Sequence, residues 1–181
     1  MEEIWYTITG PIAVNTAHEL ITWVNAQIYN LPIKRLKLII SSNGGDIDSA
    51  IRIYVYLKSL PIEVETIAFS QIDSAANLIY VAGSKRTAIK GCRFFLHEGI
   101  FTIGNSTATL HNHEENLSIL RELSKRHVDI LSQEINKTEG EVKKLLENST
   151  ILNTDKAKEL GLVHNIVDKI PLSKQNVSRP N

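Results

Sequence analysis

The chain has 181 residues, of which 43% are hydrophobic and 22% are charged, the usage expected of one ordinary soluble globular domain. Twenty Lys and Arg balance twenty Asp and Glu, so no basic surplus indicates a nucleic-acid partner, and the zero net charge favours self-association. Cys92 is the only cysteine, which excludes an intramolecular disulfide framework and any CxxC zinc or redox motif.

The N-terminus and the apolar runs predict where the protein resides. The opening Met-Glu-Glu-Ile-Trp-Tyr has neither the basic nor the apolar region of a signal peptide. The longest apolar run is far shorter than the about 18 residues that indicate a membrane span. Together with the single cysteine, these features predict a soluble, cytoplasmic protein without a membrane partner.

The first half of the chain alternates strand and helix patterns. Short runs of β-branched and apolar residues predict strands, and apolar residues at helical spacing predict a helix after each of them. The strands fall at residues 4–8, 36–41 and 64–69, and the helices at residues 16–29, 50–57 and 75–83. Three strand–helix units in a row predict an α/β fold with a parallel sheet.

The second half changes pattern. Residues 93–96 predict one more buried strand, and the Gly-, Thr- and Ser-rich residues 99–109 predict an extended segment. A long helix is expected from Asn112 to Asn136, with two apolar faces that imply burial on two sides. Capping residues Thr138 and Asn153 open two short helices, which end at Glu147 and Gly161. We expect a single domain over residues 1–170 and a disordered tail over residues 171–181.

Ser74 is the first candidate for chemistry. It lies where the third predicted strand turns into a helix of small residues, and such a turn can expose a hydroxyl and set the next backbone amide at a helix N-terminus. A serine at this place is also a common N-cap, and no GxSxG motif is present. On its own, the position favours the cap.

His97 and the pair Gly44-Gly45 follow other strands. An imidazole at the end of strand 93–96 can face a cleft, although His97 is one of six histidines. Glycine amides can approach a ligand closely because no Cβ obstructs them, although a Gly-Gly pair commonly marks a turn that needs positive φ. In a parallel α/β sheet the ends of successive strands gather at one edge, so these residues and Ser74 are expected to lie together.

The order of these motifs resembles that of a known family. Ser-Ser-Asn-Gly-Gly-Asp at residues 41–46, Asp-Ser-Ala-Ala-Asn-Leu-Ile-Tyr-Val-Ala-Gly-Ser at 73–84 and Phe-Leu-His at 95–97 resemble the ClpP family, the proteolytic subunit of Clp proteases. Residues 157–163, Ala-Lys-Glu-Leu-Gly-Leu-Val, are similar to that family's Ala-x-Glu-Tyr-Gly-Leu-Val signature. The resemblance covers about residues 4–170.

The resemblance implies a crotonase-like α/β fold of stacked ββα units, with the long helix as a handle between stacked rings of a homo-oligomeric serine endopeptidase. It assigns Ser74 as nucleophile and His97 as general base, with the backbone amides of Gly45 and Ala75 as oxyanion donors. The segment 99–105 matches the strand that pairs with a peptide or unfolded-protein substrate. No cofactor and no metal are implied.

Three departures from the family pattern change these expectations. Ser70-Gln71-Ile72-Asp73 replaces the glycine that the family has shortly before its nucleophile. The family's triad aspartate aligns with Ser149 or, after a shift of one residue, with Asn148, so the third catalytic group is Ser149, Asn148 or none. The family's N-terminal helix and axial loop have no visible counterpart, so coupling to a Clp-type ATPase is not carried over.

Other interpretations compete with the peptidase. Without an acid, the chain can be a catalytically silent ring-forming subunit, whereas acyl-CoA chemistry on the same scaffold lacks a basic phosphate site. His111 and His113 have metal-ligand character but lack further ligands. Asp73 and Glu98 adjoin Ser74 and His97, but neighbouring strand residues point to opposite faces, so neither is expected to orient the imidazole.

Overall fold

A computed structural model describes residues 2–99 and 109–171 and contains seven strands in one sheet with helices around it. The elements in chain order are β1 (Glu3–Thr9), α1 (Val14–Asn30), β2 (Arg35–Ser42), α2 (Ile47–Ser59), β3 (Glu63–Asp73), α3 (Ala76–Val81), β4 (Lys85–Ile89), β5 (Arg93–Leu96), α4 (Leu110–Ile135), α5 (Glu139–Glu147), β6 (Thr150–Leu152), α6 (Thr154–Glu159) and β7 (Asn165–Val167).

The predicted alternation of strands and helices is confirmed. Strands β1, β2 and β3 pair in parallel, and β4 and β7 continue the sheet in the order β1-β2-β3-β4-β7. The predicted tail after Pro171 and most of the predicted extended segment 99–109 lie outside the described residues. Strands β4, β6 and β7 were not predicted from the sequence. Strand β4 carries two basic residues, and β6 and β7 have only three residues each, so none of them shows a clear strand pattern.

Strand β3 is the longest of the strands in the described ranges and pairs with two different neighbours on one side. Its residues Glu65–Ala68 pair in parallel with β4, whereas Gln71–Asp73 pair in parallel with β5. Strand β5 in turn pairs with β6 in antiparallel fashion. The end of β3 that precedes Ser74 is therefore joined to the strand that precedes His97.

Apolar helix faces cover the sheet. The inward residues of α1 and α2 are fully buried, and all six residues of α3 are buried, which explains why that helix consists almost entirely of small and apolar side chains. The predicted caps of the two short helices are present. Thr138 forms a capping box with Glu141 at the start of α5, and the Asn153 side chain accepts a hydrogen bond from the amide of Lys156 at the start of α6.

The long helix α4 is buried only in its C-terminal half. Val128, Leu131 and Ile135 belong to the core, whereas Leu117 and Ile119 are about half exposed. The predicted burial on two sides thus stays a prediction for the N-terminal half, which has no cover among the described residues of this one chain.

A buried arginine connects β4 to the end of α4. Arg86 is 4% exposed and donates to the backbone carbonyls of Glu134 at 2.9 Å and Gly161 at 3.0 Å, while its Nη1 lies 3.5 Å from the Glu134 carboxylate. The same carboxylate accepts a hydrogen bond from Tyr54 and an ion pair from Lys58. Arg86 and Glu134 together therefore connect α2, β4, α4 and the turn before β7.

We expect Arg86→Met to lower the free energy of unfolding by about 2–4 kcal/mol, because it leaves the carbonyls of Glu134 and Gly161 without this donor and takes one of two cations from the Glu134 carboxylate, which keeps Lys58. Arg52→Met is the matched control, since Arg52 pairs with Asp48 on the exposed face of α2 and such pairs contribute about 1 kcal/mol or less. Urea unfolding of both variants measures the difference. Equal losses would contradict the role assigned to Arg86.

Candidate active site

The turn between β3 and α3 presents Ser74 in an unusual backbone conformation. Ser74 has a φ of +55°, a left-handed value that costs a non-glycine residue roughly 1–2 kcal/mol. Its amide donates to the carbonyl of Phe95 at 2.8 Å, which fixes the turn to β5. Strained backbone of this kind concentrates at functional sites.

The interpretation of Ser74 as an N-cap does not hold. The N-cap position of α3 is Ala75, which has no side-chain capping bond. Within the described part of the chain, the Ser74 hydroxyl takes no part in a hydrogen bond. It is the backbone carbonyl of Ser74 that accepts a hydrogen bond from the backbone amide of Asn77, at 3.0 Å. The hydroxyl is therefore not committed to holding the helix.

Asn77 joins the Ser74 turn to β5. Its side-chain Nδ2 donates to the carbonyl of Ser74 at 3.0 Å and to the carbonyl of Phe95 at 2.9 Å, and the residue is fully buried. No sequence motif predicts a role for Asn77. The feature of the sequence that could have indicated its role is a single amide side chain among the apolar residues of α3, a helix that is buried on all sides.

Asn77→Ala should lower the free energy of unfolding by about 1–3 kcal/mol, because two buried hydrogen bonds are lost and each carbonyl keeps only a backbone donor. Asn30→Ala serves as its control, since Asn30 is exposed and bonds only the carbonyl of Ala26 within α1, so a change within about 0.5 kcal/mol is expected. Chemical unfolding measures both. An unchanged free energy of unfolding for Asn77→Ala would show that its two side-chain hydrogen bonds do not stabilise the fold.

The glycine turn after β2 lies directly against Ser74. A Cβ on Gly44 would stand 2.6 Å from the Cβ of Ser74, and a Cβ on Gly45 would stand 2.3 Å from the carbonyl oxygen of Ile12. Both glycines also have positive φ, of +85° and +144°. Conformation and close approach both require glycine here, so the predicted meeting of these two strand ends is confirmed.

Two backbone amides next to Ser74 have no acceptor within the described residues. Ile12 donates to the carbonyl of Gly44 and accepts from the amide of Asp46, so the N–H of the intervening Gly45 points away from Ile12. Neither this N–H nor that of Ala75 takes part in the backbone hydrogen bonds of the described chain. A pair of unengaged amides beside a hydroxyl is the arrangement that stabilises an oxyanion.

His97 follows β5 directly and is half-buried. Its ring stacks on that of Phe95, with centroids 4.6 Å apart and an interplanar angle of 21°. Phe95 is also the residue whose carbonyl holds Ser74 and Asn77. The structure therefore places Ser74 and His97 at the ends of neighbouring strands, with no hydrogen bond between their side chains.

Ser149 follows from the register of β6. Leu96 pairs with Thr150, so continuing the antiparallel register by one residue sets Ser149 opposite His97. Ser149 is exposed and has a φ of +48°, and Asn148 ends α5 one residue further from β6. The register thus favours Ser149 over Asn148 as the neighbour of the imidazole.

Other titratable residues near Ser74 are committed elsewhere or unreactive. Asp73 is 5% exposed, and its two carboxylate oxygens accept hydrogen bonds from Nε and Nη2 of Arg93. Burial raises the pKa of the Cys92 thiol to about 12, so this thiol is protonated at neutral pH. His111 and His113 are exposed in the first turn of α4, and the described chain contains no group of three metal-ligating side chains.

A cleft of about 500 Å³ opens beside the segment that follows His97. Its walls come from α4 and α5 and from residues 98–99, and they combine apolar and charged side chains. The lining residues are Glu98, Gly99, Leu120, Arg121, Ser124, Lys125, His127, Val128, Glu139, Lys143, Leu146 and Glu147. The predicted substrate-pairing segment 99–105 lies, apart from Gly99, outside the described residues.

Comparison with known proteins finds matches that cover most of the chain. A family model described as Clp protease matches residues 2–170. A protein from Streptomyces coelicolor, described as an ATP-dependent Clp protease proteolytic subunit-like protein, is 27% identical over 161 residues, which cover 87% of this chain and 75% of that protein. A ClpP1 variant from Listeria monocytogenes, with one asparagine replaced by aspartate, superimposes with a TM-score of 0.81 at 17% identity, covering 91% of each chain. Among the described residues, no helix is long and apolar enough to cross a membrane.

Proposed function

The chain belongs to the Clp protease family, and on that premise we propose that it is a serine endopeptidase. Ser74 is the nucleophile, His97 is the general base, and the backbone amides of Gly45 and Ala75 form the oxyanion hole. The observation that carries the proposal is the close approach of Gly44 to Ser74 and to the amide nitrogen of Ala75, which sets a strained serine against a glycine turn whose next amide, that of Gly45, has no acceptor among the described residues.

The reaction follows from these positions. Oγ of Ser74 attacks the carbonyl carbon of the peptide bond while His97 takes the hydroxyl proton, and the oxyanion that forms accepts hydrogen bonds from the two amides. The tetrahedral intermediate collapses when the C–N bond breaks and His97 donates the proton to the leaving amine. Water, deprotonated by the same imidazole, then hydrolyses the acyl-enzyme and regenerates Ser74.

The third catalytic group is Ser149, whose hydroxyl orients the imidazole without supplying a negative charge. A triad aspartate both orients the base and stabilises the imidazolium of the transition state, and its replacement by asparagine in a serine protease lowers turnover about 10⁴-fold. We therefore expect slow hydrolysis of small peptides. The same observation supports the alternative, a catalytically silent subunit that serves assembly.

A fluorophosphonate probe distinguishes the two functions, because it phosphonylates only an activated serine. For the peptidase we expect one modified peptide, which contains Ser74, after digestion and mass spectrometry. Protein unfolded in urea before labelling is the control and should remain unmodified. Absence of labelling on the folded, assembled protein would favour the silent subunit.

The exposed half of α4 supports a homo-oligomer of stacked rings. Leu117 and Ile119 are half exposed on two different sides of the N-terminal half of α4, and exposed apolar surface of this kind marks interfaces. Sedimentation at micromolar concentration should show an assembly far larger than a 20.3 kDa monomer, and Leu117→Glu together with Ile119→Glu should dissociate it. A stable monomer of the unmodified chain would contradict the ring.

The single domain over residues 1–170 and the cytoplasmic location also stay proposals. The family match over residues 2–170 supports the first. The lone, buried Cys92 supports the second, because a reducing compartment needs no disulfide.

A further inference from the structure

The imidazole of His97 is stacked on an aromatic ring. The centroids of the His97 and Phe95 rings are 4.6 Å apart, and their planes are inclined by 21°. Phe95 and His97 are half-buried while Leu96 between them is buried, so the alternation of the strand continues to His97 and both rings leave the backbone on the same side. Within residues 2–99 and 109–171, the imidazole takes part in no hydrogen bond and no ion pair.

The backbone of Phe95 is held from both sides. It pairs with Asp73 of β3 and with Ile151 of β6. Its carbonyl accepts hydrogen bonds from the amide of Ser74 at 2.8 Å and from the side chain of Asn77 at 2.9 Å. The ring that lies against the imidazole therefore extends from a point that is fixed to the turn of the proposed nucleophile.

The stacked ring suits the charge that His97 acquires during the proposed reaction. The imidazole becomes an imidazolium when it takes the proton of Ser74. The face of a phenyl ring is negative and attracts a cation within about 6 Å of its centroid, a limit that the 4.6 Å separation satisfies. In a complete triad an aspartate supplies the stabilising charge, whereas Ser149 is neutral.

We propose that Phe95 is a positioning residue for the general base: its ring fixes the plane of the His97 imidazole and stabilises the imidazolium, the electrostatic task that a neutral Ser149 leaves open. This inference rests on the proposed peptidase function. An attraction of this kind changes a rate by roughly 2–30-fold. A triad aspartate contributes about 10⁴-fold, so Phe95 replaces only part of the missing acid, in agreement with the slow hydrolysis expected here.

Stepwise fluorination of Phe95 separates this charge effect from packing. Fluorine withdraws electron density from the face of the ring and changes its shape little. Phe95 is replaced by mono-, di- and trifluorophenylalanine in the otherwise unmodified, assembled protein, and kcat and KM are measured for one small peptide. We expect kcat to fall with each added fluorine, by roughly 2–30-fold in total. KM should stay unchanged, because the loss falls on the transition state, in which the imidazole is charged.

Phe94 is the matched control, because its ring lies on the opposite face of the same strand. It is fully buried and packs on Tyr80, with ring centroids 5.4 Å apart. The same fluorinated residues at Phe94 should leave kcat unchanged. A kcat that does not respond to fluorination of Phe95, or an equal loss from fluorination of Phe94, would overturn the role assigned to Phe95.

The stack itself is measured without turnover by nuclear magnetic resonance of Ser74→Ala protein. The ring current of Phe95 should shift the ring protons of His97 to higher field, and Phe95→Leu should remove this shift; His97→Gln assigns the signals. Ring protons that do not move in Phe95→Leu would overturn the stack. Absence of turnover in the unmodified protein would overturn the peptidase and the role of Phe95 with it, even where the shifted protons show the stack.

Discussion

Ser74→Ala should abolish peptide hydrolysis and fluorophosphonate labelling while leaving the fold and the assembly intact. The hydroxyl takes no part in a hydrogen bond within the described chain, so its loss removes the nucleophile without breaking a structural contact. In a complete serine-protease triad the loss of the nucleophile costs on the order of 10⁶-fold in turnover. From the slower starting rate expected here, hydrolysis should fall to background.

Two further variants make this result specific. Ser70→Ala changes an exposed serine on the same strand and should retain full turnover. Ser74→Gly should be as inactive as Ser74→Ala but more stable by up to about 1 kcal/mol, because glycine adopts the φ of +55° without strain. Hydrolysis by Ser74→Ala at the parent rate, measured on identical assemblies, would show that another residue is the nucleophile.

Ser149→Asp should raise peptide turnover, by at least about 10-fold and by at most the about 10⁴-fold that separates an aspartate from a neutral partner in a triad. The register of β5 and β6 sets residue 149 opposite His97, where a carboxylate stabilises the imidazolium. Aspartate also tolerates the φ of +48° at this position better than most residues do. Steady-state hydrolysis of one small peptide under identical assembly conditions measures the gain.

Asn148→Asp is the paired control for this gain. It introduces the same charge one residue away, at the end of α5, where the register gives no path to the imidazole. We expect it to change turnover little. A gain from Asn148→Asp alone would move the orienting position by one residue. No gain from either variant, with the assembly intact, would mean that the orienting group lies elsewhere or, if the parent shows no turnover, that the subunit is silent.

The periodic patterns predicted most of the fold because they reflect which face of each element is buried. The strands before Ser74 and His97 and the helices between them follow from such patterns. The sequence did not predict strand β4, because an arginine such as Arg86 is normally exposed. Its burial is compensated by hydrogen bonds to the carbonyls of Glu134 and Gly161, which are distant in the sequence.

The candidate site was predictable only where one residue marks a strand end. Ser74, His97 and the glycine turn occupy such ends, and the parallel topology brings them together. Asn77 donates a hydrogen bond to the carbonyl of Phe95, which is 18 positions away, and His127 is buried in the packed structure. No local sequence pattern encodes a distant partner or the burial of a histidine. The position of Ser149 needed the register of a three-residue strand, which periodicity cannot supply.

The division of β3 between two neighbours has a consequence for thermal inactivation. Seven residue pairs align β2 with β3, whereas β5 is held by three pairs on each side, through residues 71–73 of β3 and through β6. Short ladders open at a fraction of the free energy of global unfolding. Separation of β5 from the end of β3 withdraws His97 from Ser74 while the longer ladders of the main sheet persist. On heating, the protein is therefore expected to lose its catalytic alignment before it loses its secondary structure.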